Sequence, residues 1–135
     1  MGRSLLILLD THVVIWLAFE QDRLSKNARA IIEEARLNGE GLAISGISLF
    51  ELARAFHRER EHFTISVESA LAEVERRFTV LPINSRISIQ ALYFPATYPK
   101  DPADRIIGAT ALVEGLTLVT ADAQIRKSGA LRTIW

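Results

Sequence analysis

Short runs of apolar residues recur along the chain, separated by longer segments with a helical pattern. Continuous apolar runs are typical of parallel strands that are covered on both faces. The first of them, Leu5-Leu6-Ile7-Leu8-Leu9, is stopped by Asp10. Pro82 in the third run indicates an edge strand, because proline cannot donate a hydrogen bond to a neighbouring strand. We predict strands at about 4–9, 42–45, 79–83 and 116–120, and a final one at 132–135.

Helical segments fill the intervals between these strands. The helix beginning near 47 has apolar residues at the i, i+3, i+4, i+7 spacing of a buried stripe. Ser25 and Ser66 are well placed to cap helices, and Gly39 and Gly41 end the first of them. The predicted helices cover about 12–19, 26–38, 47 onward, from Ser66 to 78, 85–94, 103–114 and 122–128.

Strands that alternate with helices indicate βαβ crossovers and a parallel sheet. We therefore predict an α/β fold, a three-layer α/β/α sandwich with a central, mainly parallel sheet of four to five strands. The chain of 135 residues has the length of one ordinary domain, and no linker, repeat or low-complexity tract divides it. We expect residues 1–135 to form a single domain.

Composition excludes several classes of protein. Sixteen basic residues balance sixteen acidic ones, so the net charge gives no indication of a nucleic-acid partner. The chain has no cysteine, which excludes disulfides and thiolate metal sites and fits a reducing cytoplasm. The apolar run before Asp10 is too short for the core of a signal peptide, and no segment reaches the length of a membrane span. We expect a soluble cytosolic protein.

Carboxylates follow the predicted strands at one edge of the sheet. Asp10 ends the first strand, and Asp122 closely follows the fourth. Glu51 lies on the helix after the second strand, and Asp104 lies at the start of the long apolar helix. Ligands in open α/β sheets bind beyond the carboxyl ends of the strands, so these four acids can meet in one pocket.

Each of these acids also has an ordinary structural interpretation. Asp10 and Asp122 can cap the helices that follow them. Asp101 and Asp104 flank a proline in the pattern of a regular helix start, where the helix dipole favours acids. Glu51 can be an exposed residue of an amphipathic helix. The joint placement of four acids at one edge favours a shared site over these separate roles.

Clustered carboxylates repel one another and need a compensating cation to stay ionised together. Carboxylate oxygens select Mg²⁺ or Mn²⁺ over zinc, which prefers nitrogen and sulfur ligands. His12, His57 and His62 have no metal-ligand spacing, which also argues against zinc. Two ions held about 3.5–4 Å apart can activate a water and stabilise the leaving oxygen of a phosphodiester. The acids therefore indicate a metal-dependent nuclease.

Basic residues on the helix that carries the glutamate can guide such a substrate. Arg54 and Arg58 follow the glutamate by one and two helical turns on nearly the same face. Arg60, Lys100 and Arg105 can extend them into a rim that contacts phosphates. The alternative is that all five are ordinary solvated side chains, and the sequence leaves both interpretations open.

Other α/β phosphate enzymes fit the sequence less well. A haloacid-dehalogenase-like phosphatase needs a second aspartate two residues after the first, where this chain has His12. A response-regulator receiver needs an acid after the third strand, where this chain has Asn84. A Rossmann or P-loop nucleotide-binding domain needs a glycine-rich turn after the first strand, and this chain has none there.

Five short motifs follow one another along the chain: Leu8-Leu9-Asp10-Thr11-His12, Ser48-Leu49-Phe50-Glu51-Leu52, Asp101-Pro102-Ala103-Asp104-Arg105-Ile106-Ile107-Gly108-Ala109, Leu118-Val119-Thr120-Ala121-Asp122 and the terminal Ile134-Trp135. Together they resemble the PIN-domain ribonucleases, and above all the VapC-type toxins of bacterial and archaeal toxin–antitoxin pairs. The resemblance spans nearly the whole chain. It implies a PIN-like fold and an Mg²⁺- or Mn²⁺-dependent endoribonuclease that cuts cellular RNA.

The resemblance also implies roles for residues and partners. It matches the acidic quartet of the family to Asp10, Glu51, Asp104 and Asp122. It adds Asp101 as an auxiliary acid, and it places Thr11 and Thr120 where the family has hydroxyls that hold the site in order. Such toxins form homodimers, and a small antitoxin silences them by laying its C-terminal segment in the active-site groove.

Two positions near the expected site depart from the family pattern. Ala103 stands where close relatives often carry an aromatic residue, and Gly108 stands where the long helix usually has a larger residue. Neither change removes a metal ligand, so both concern substrate fit more than chemistry. The alternative function is a PIN-like module that binds RNA or a protein without cutting. All four acids of the quartet are present, which favours the nuclease.

Overall fold

The computed structural model describes residues 6–135, which form a five-stranded sheet with helices on both faces. The strands are β1 (Ile7–Leu9), β2 (Leu42–Ser45), β3 (Thr79–Leu81), β4 (Leu118–Val119) and β5 (Thr133–Ile134). The helices are α1 (Thr11–Phe19), α2 (Lys26–Asn38), α3 (Gly46–Arg58), α4 (Val67–Arg77), α5 (Ser85–Gln90), α6 (Pro102–Glu114) and α7 (Ala123–Ser128). Short 3₁₀ turns lie at Gln21–Arg23 and Arg60–His62.

The strands of the sheet pair in parallel, in the order β3-β2-β1-β4-β5. The chain adds β2 and β3 on one side of β1, and then crosses to the other side of β1 for β4 and β5. The strand order therefore reverses between β1 and β4, where Leu8 is in register with Leu118. The crevice at such a reversal is the usual ligand site of open α/β sheets. The predicted fold class is confirmed.

Successive strand residues contribute to two separate cores. Ile7, Leu9 and Ile44 pack in the core beneath α1, α2, α3 and α4. Leu8 and Ala43 pack in the core on the other face of the sheet, with residues of α6 and α7. Because both faces of the sheet are covered, its central strands are apolar at nearly every position, which explains the continuous apolar runs of the sequence.

Most helix and strand boundaries follow from local signals. α2 begins after Ser25, whose hydroxyl accepts the Ala28 amide at 3.0 Å, and it ends at the predicted residue 38. β3 is an edge strand, as Pro82 predicted, and the proline itself lies just after the strand. Residues 4 and 5 of the first predicted strand lie outside the described residues. Among residues 6–135, no helix has both the length and the apolar character needed to span a membrane.

Several predicted elements are shorter in the structure, among them the strand predicted at 79–83, which ends at Leu81. The helix predicted at 85–94 ends at Gln90, because i→i+3 hydrogen bonds from Leu92 and Tyr93 close a turn there. Pro95 follows, and a proline disfavours helical backbone in the residue before it. The strand predicted at 116–120 pairs over a shorter stretch, Leu118–Val119.

Candidate active site

Asp10 lies at the carboxyl end of β1, where the strand order reverses. The residue is 4% exposed. One carboxylate oxygen, Oδ1, accepts the Thr11 amide at 2.9 Å, and the other, Oδ2, accepts the Thr120 hydroxyl at 2.7 Å. Asp10 is therefore both the cap of α1 and a fixed carboxylate of the crevice, so its two interpretations from the sequence are compatible.

The Thr120 hydroxyl connects two of the predicted acids. It donates to Asp10 and accepts the backbone amide of Asp122 at 3.0 Å. Asp122 in turn caps α7, because its Oδ1 accepts the Ile125 amide at 3.0 Å. The loop after β4 thus holds Asp122 in a fixed relation to Asp10.

His12, the last residue of the first motif, forms a second link between the ends of β1 and β4, a role that was not predicted from the sequence. Its Nε2 accepts the Ala121 amide at 3.0 Å, so the proton of the neutral ring lies on Nδ1. Nδ1 faces Oδ2 of Asp10 at 3.7 Å. The ring also packs against Trp16, with 4.8 Å between the ring centroids. The imidazole therefore holds the loop after β4 against the start of α1.

Glu51 is held by a chain of hydroxyl groups. The Thr11 hydroxyl donates to Oε1 of Glu51 at 2.5 Å and lies 2.8 Å from the Ser48 hydroxyl. Because Thr11 has one hydroxyl proton and gives it to Glu51, Ser48 is the donor to Thr11. Ser48 is fully buried and was not among the predicted site residues. The available signals are its place at the start of the second motif and its position on α3, one turn before the glutamate.

Asp101 and Asp104 lie at the start of α6, as the helix-start pattern predicted. Oδ1 of Asp101 accepts the Ala103 amide at 2.8 Å and the Asp104 amide at 3.3 Å. Asp101 is exposed, whereas Asp104 is partly buried. Asp101 therefore caps the helix, and Asp104 is the acid of this turn that lies deeper in the protein.

Five acids, which we call the acidic cluster, act on one another's charge: Asp10, Glu51, Asp101, Asp104 and Asp122. Burial, followed by the charges of the other four, raises the pKa of Asp104 from 3.8 to about 7. Burial also raises the pKa of Glu51, although the hydrogen bond from Thr11 and the charge of Arg54 oppose this rise. The structure thus brings together the acids that the sequence placed at three separate strand ends and one helix start.

We expect the metal-free protein to lose stability as pH rises, because the pKa of Asp104 is raised on folding. Such a carboxyl favours the folded state fully below its unfolded pKa, and this contribution is lost as pH rises through the folded value. The thermal unfolding midpoint in EDTA should therefore fall between about pH 4 and about pH 8. In Asp104→Asn the fall should be smaller, and at the higher pH this variant should unfold at a higher temperature than the wild type. Equal pH dependence in the two proteins would contradict this prediction.

Tyr98 packs against the first turn of α6 and is fully buried. Its hydroxyl donates to the backbone carbonyl of Asp104 at 2.8 Å. Burial, followed by the charges of Asp104, Asp10 and Asp122, raises the pKa of this hydroxyl, which therefore stays protonated. Tyr98 was not among the predicted site residues, because a tyrosine in a loop belongs to no helical or strand pattern.

The predicted basic residues differ in exposure and in their contacts. Four are exposed: Arg54, Arg58, Arg60 and Lys100. Arg105 is partly buried and donates to the carbonyls of Pro99 and Ala91, at 3.1 and 3.4 Å. Arg60 donates to the His57 carbonyl at 2.7 Å. The contacts of Arg105 stabilise the loop before α6, while Arg54, Arg58 and Lys100 have exposed side chains that solvent or a ligand can reach.

The acidic cluster suits a hard divalent cation by its chemistry. Carboxylate oxygens are the ligands that Mg²⁺ and Mn²⁺ prefer, and such an ion relieves the mutual repulsion of the acids. Within residues 6–135, however, no three His, Cys, Asp or Glu side chains are arranged so that they could enclose an ion as they stand. Hydroxyls and amides hold Asp10, Glu51 and Asp122 instead. Metal binding here therefore needs carboxylates of the acidic cluster to come closer together.

The chain is similar to known proteins over almost its full length. The profile of the PIN domain family matches residues 7–131. Ribonuclease VapC22 from Mycobacterium tuberculosis is 38% identical to the chain over 131 residues, and the match covers 96% of this chain and 98% of the relative.

Solved structures share the fold. The structure of VapBC2 from Rickettsia felis, bound to a DNA fragment from its promoter, matches with a TM-score of 0.73 at 18% identity, covering 96% of this chain and 97% of that chain. The structure of DNA-bound VapBC from Salmonella typhimurium matches with a TM-score of 0.68 at 26% identity, covering 95% of this chain and 96% of that chain. The first of these likenesses concerns the fold alone.

Proposed function

The chain belongs to the PIN-domain family, and from this premise we propose that it is an endoribonuclease of the VapC type, the toxin of a toxin–antitoxin pair. The reaction is hydrolysis of RNA phosphodiester bonds. The observation that carries the proposal is the acidic cluster at the reversal between β1 and β4. The 38% identity to a protein named as a ribonuclease supports it.

Mg²⁺ or Mn²⁺ is the cofactor in this proposal. The residues that would hold it are Asp10, Glu51, Asp104 and Asp122, with assistance from Asp101. The chemistry supplied by the bound ion is activation of a water and neutralisation of charge on the leaving oxygen. The support for a metal lies in the oxygen donors and in the burial and mutual repulsion that together raise the pKa of Asp104.

The residues around the acids prepare them for this chemistry. Thr120 fixes Asp10, and Thr11, itself fixed by Ser48, fixes Glu51. The Thr120 and Thr11 hydroxyls each donate to a carboxylate oxygen, and the hydrogen bond from Thr11 opposes the rise in the pKa of Glu51. Because the hydroxyls already orient the two carboxylates, less ordering remains when substrate and metal bind.

RNA would be guided into the site by basic side chains. Arg54 and Arg58 of α3 and Lys100 before α6 are exposed, which supports contacts with phosphates. Arg105 is also part of this proposal, although two of its donors already bind loop carbonyls, so we expect a smaller contribution from it. Such contacts position the RNA backbone without reading its sequence.

The proposed partners are an antitoxin and a second copy of the chain. The VapBC structures among the relatives support the antitoxin. Exposed apolar side chains at Ile89 and Leu92, near the end of α5, offer surface for a homodimer. We place the protein in the cytoplasm, where its RNA substrate is made, and we take residues 1–135 as one PIN-like domain.

The purified, antitoxin-free protein should cut total cellular RNA at discrete positions with Mg²⁺ or Mn²⁺, and should cut none in EDTA. The reason is that water is a poor nucleophile at neutral pH unless a metal lowers its pKa. Primer extension on the treated RNA would locate the cuts. Return of cleavage when Mg²⁺ is added in excess over EDTA controls for damage by the chelator.

Two outcomes of this experiment would contradict the proposal in different ways. Undiminished cleavage in EDTA would remove the metal from the mechanism. Folded protein that cuts no RNA with either ion would favour the alternative, a PIN-like module that binds RNA or a protein.

A further inference from the structure

Tyr98 and Gly108 form a pair that joins the loop 94–100 to α6. The Tyr98 hydroxyl donates to the backbone carbonyl of Asp104. In an α-helix, the carbonyl of residue 104 also faces the amide of residue 108. A second donor that approaches this carbonyl from outside the helix therefore lies over the side-chain position of residue 108, which is a glycine.

The space beside Gly108 is occupied by the tyrosine. A Cβ atom at residue 108 would lie 2.2 Å from the Tyr98 hydroxyl oxygen, 2.9 Å from Cζ of the same ring and 3.0 Å from Cζ of Phe94. A contact of 2.2 Å is impossible for a carbon atom, so any other residue at 108 would displace the hydroxyl. Gly108, which departs from the family pattern, thus leaves the space that the Tyr98 hydroxyl occupies.

Neighbouring contacts keep the Tyr98 ring in place. The ring stacks on Phe94, with 4.1 Å between centroids and 21° between planes. Arg105 of α6 donates to two carbonyls of the same part of the chain. Gln124 of α7 donates to the Thr97 carbonyl at 3.2 Å. The loop is therefore tied both to α6 and to the helix that follows β4.

Asp104 differs from the other acids of the quartet in how it is held. Hydrogen bonds reach the carboxylates of Asp10, Glu51 and Asp122 directly. Within residues 6–135, we find no hydrogen bond to the carboxylate of Asp104; its contacts are made by its backbone, at the amide and at the carbonyl. The position of this carboxylate is therefore set by the position of the Asp104 backbone.

We propose that Tyr98 is a positioning residue for Asp104, and that Gly108 provides the space it needs. By donating to the Asp104 carbonyl, the hydroxyl fixes the turn of α6 from which the carboxylate projects. This inference rests on the proposed function, because the position of Asp104 affects activity only if Asp104 binds the metal. Groups that orient metal ligands in this way commonly change metal affinity by about 10–100-fold when they are removed.

Tyr98→Phe is the test, because it removes the hydroxyl and keeps the packing of the ring. The matched control is Tyr93→Phe, since Tyr93 is the other tyrosine of the chain and is 71% exposed. In metal-free protein, amide hydrogen exchange at residues 104–108 should be faster in Tyr98→Phe than in the control. In calorimetric titration with Mn²⁺ alone, Tyr98→Phe should bind roughly tenfold more weakly. Its kcat on RNA should fall similarly, with KM unchanged.

The readouts separate positioning from a merely structural role. A structural role would lower the unfolding temperature of Tyr98→Phe but leave its Mn²⁺ affinity and its kcat unchanged. Exchange rates and Mn²⁺ affinity within about twofold of Tyr93→Phe would overturn the inference. If the wild type cuts no RNA, the proposed function fails, but the exchange measurement still decides whether the hydroxyl fixes the turn of α6.

Discussion

Asp10→Asn should abolish RNA cleavage, with a loss of about a thousandfold or more, as expected for one member of a group that acts as a unit. The change removes the charge of the most buried acid in the acidic cluster. Asparagine keeps an oxygen for the Thr11 amide, and it caps helices about as well as aspartate. Its side-chain nitrogen can donate to the Thr120 hydroxyl, so we expect the fold to survive.

The measurement is cleavage of total RNA in Mg²⁺ by the variant and by Asp22→Asn, side by side. Asp22 is an exposed aspartate of the first 3₁₀ turn and belongs to no part of the acidic cluster, so its replacement should leave activity unchanged. Circular dichroism and the unfolding temperature would show that all proteins are folded. Asp104→Asn should lose RNA cleavage to the same extent as Asp10→Asn. Activity near that of the wild type in either variant would exclude that acid from the site.

Gly108→Ala should destabilise the protein by about 2 kcal/mol, within the range known for overpacked cores. Alanine at an interior helix position normally stabilises a helix by about 1 kcal/mol relative to glycine, so the expected sign is reversed here. The reason is the tyrosine hydroxyl that already occupies the space of the new methyl group. Tyr98 is fully buried and stacked on Phe94, so its side chain cannot move aside without disturbing the core.

Denaturant unfolding would measure this effect against a second glycine. Gly46 is the first residue of α3, and a Cβ there would meet the Leu81 carbonyl at an ordinary 3.5 Å. Gly46→Ala should therefore be neutral or slightly stabilising. Tyr98→Phe combined with Gly108→Ala should cost less than the sum of the two single changes, because the shortest contact involves the hydroxyl. Equal stability of Gly108→Ala and Gly46→Ala would contradict the predicted clash.

Local signals in the sequence were enough for most of the fold. Ser25 and Gly39 mark the two ends of α2, because capping depends on residues that are neighbours in the chain. The pattern failed at the end of α5, where Leu92 and Tyr93 suggest a continuing apolar face. Both side chains are 71% exposed in the structure, so their hydrophobicity did not indicate burial within the described chain.

The acids of the candidate site could be predicted because parallel strands end at one edge of the sheet. Asp10 and Thr120 are neighbours for this reason, although 110 residues separate them. The double role of Asp10, as helix cap and site carboxylate, follows from the same place at the end of a strand. For Asp101 the structure shows the capping contacts, and its role as a metal ligand stays a prediction.

The sequence alone was enough to predict the order of strands and helices along the chain, the parallel sheet and the edge at which the acids gather, since periodicity, caps and strand ends are local properties. The groups that hold the acids depend instead on tertiary contacts. Ser48 reaches Thr11 across 37 positions, and Thr11 reaches Glu51 across 40. Tyr98 fits over Gly108 because of close packing between a loop and a helix. Such contacts depend on side-chain shapes from distant segments, and no pattern along a single segment records them.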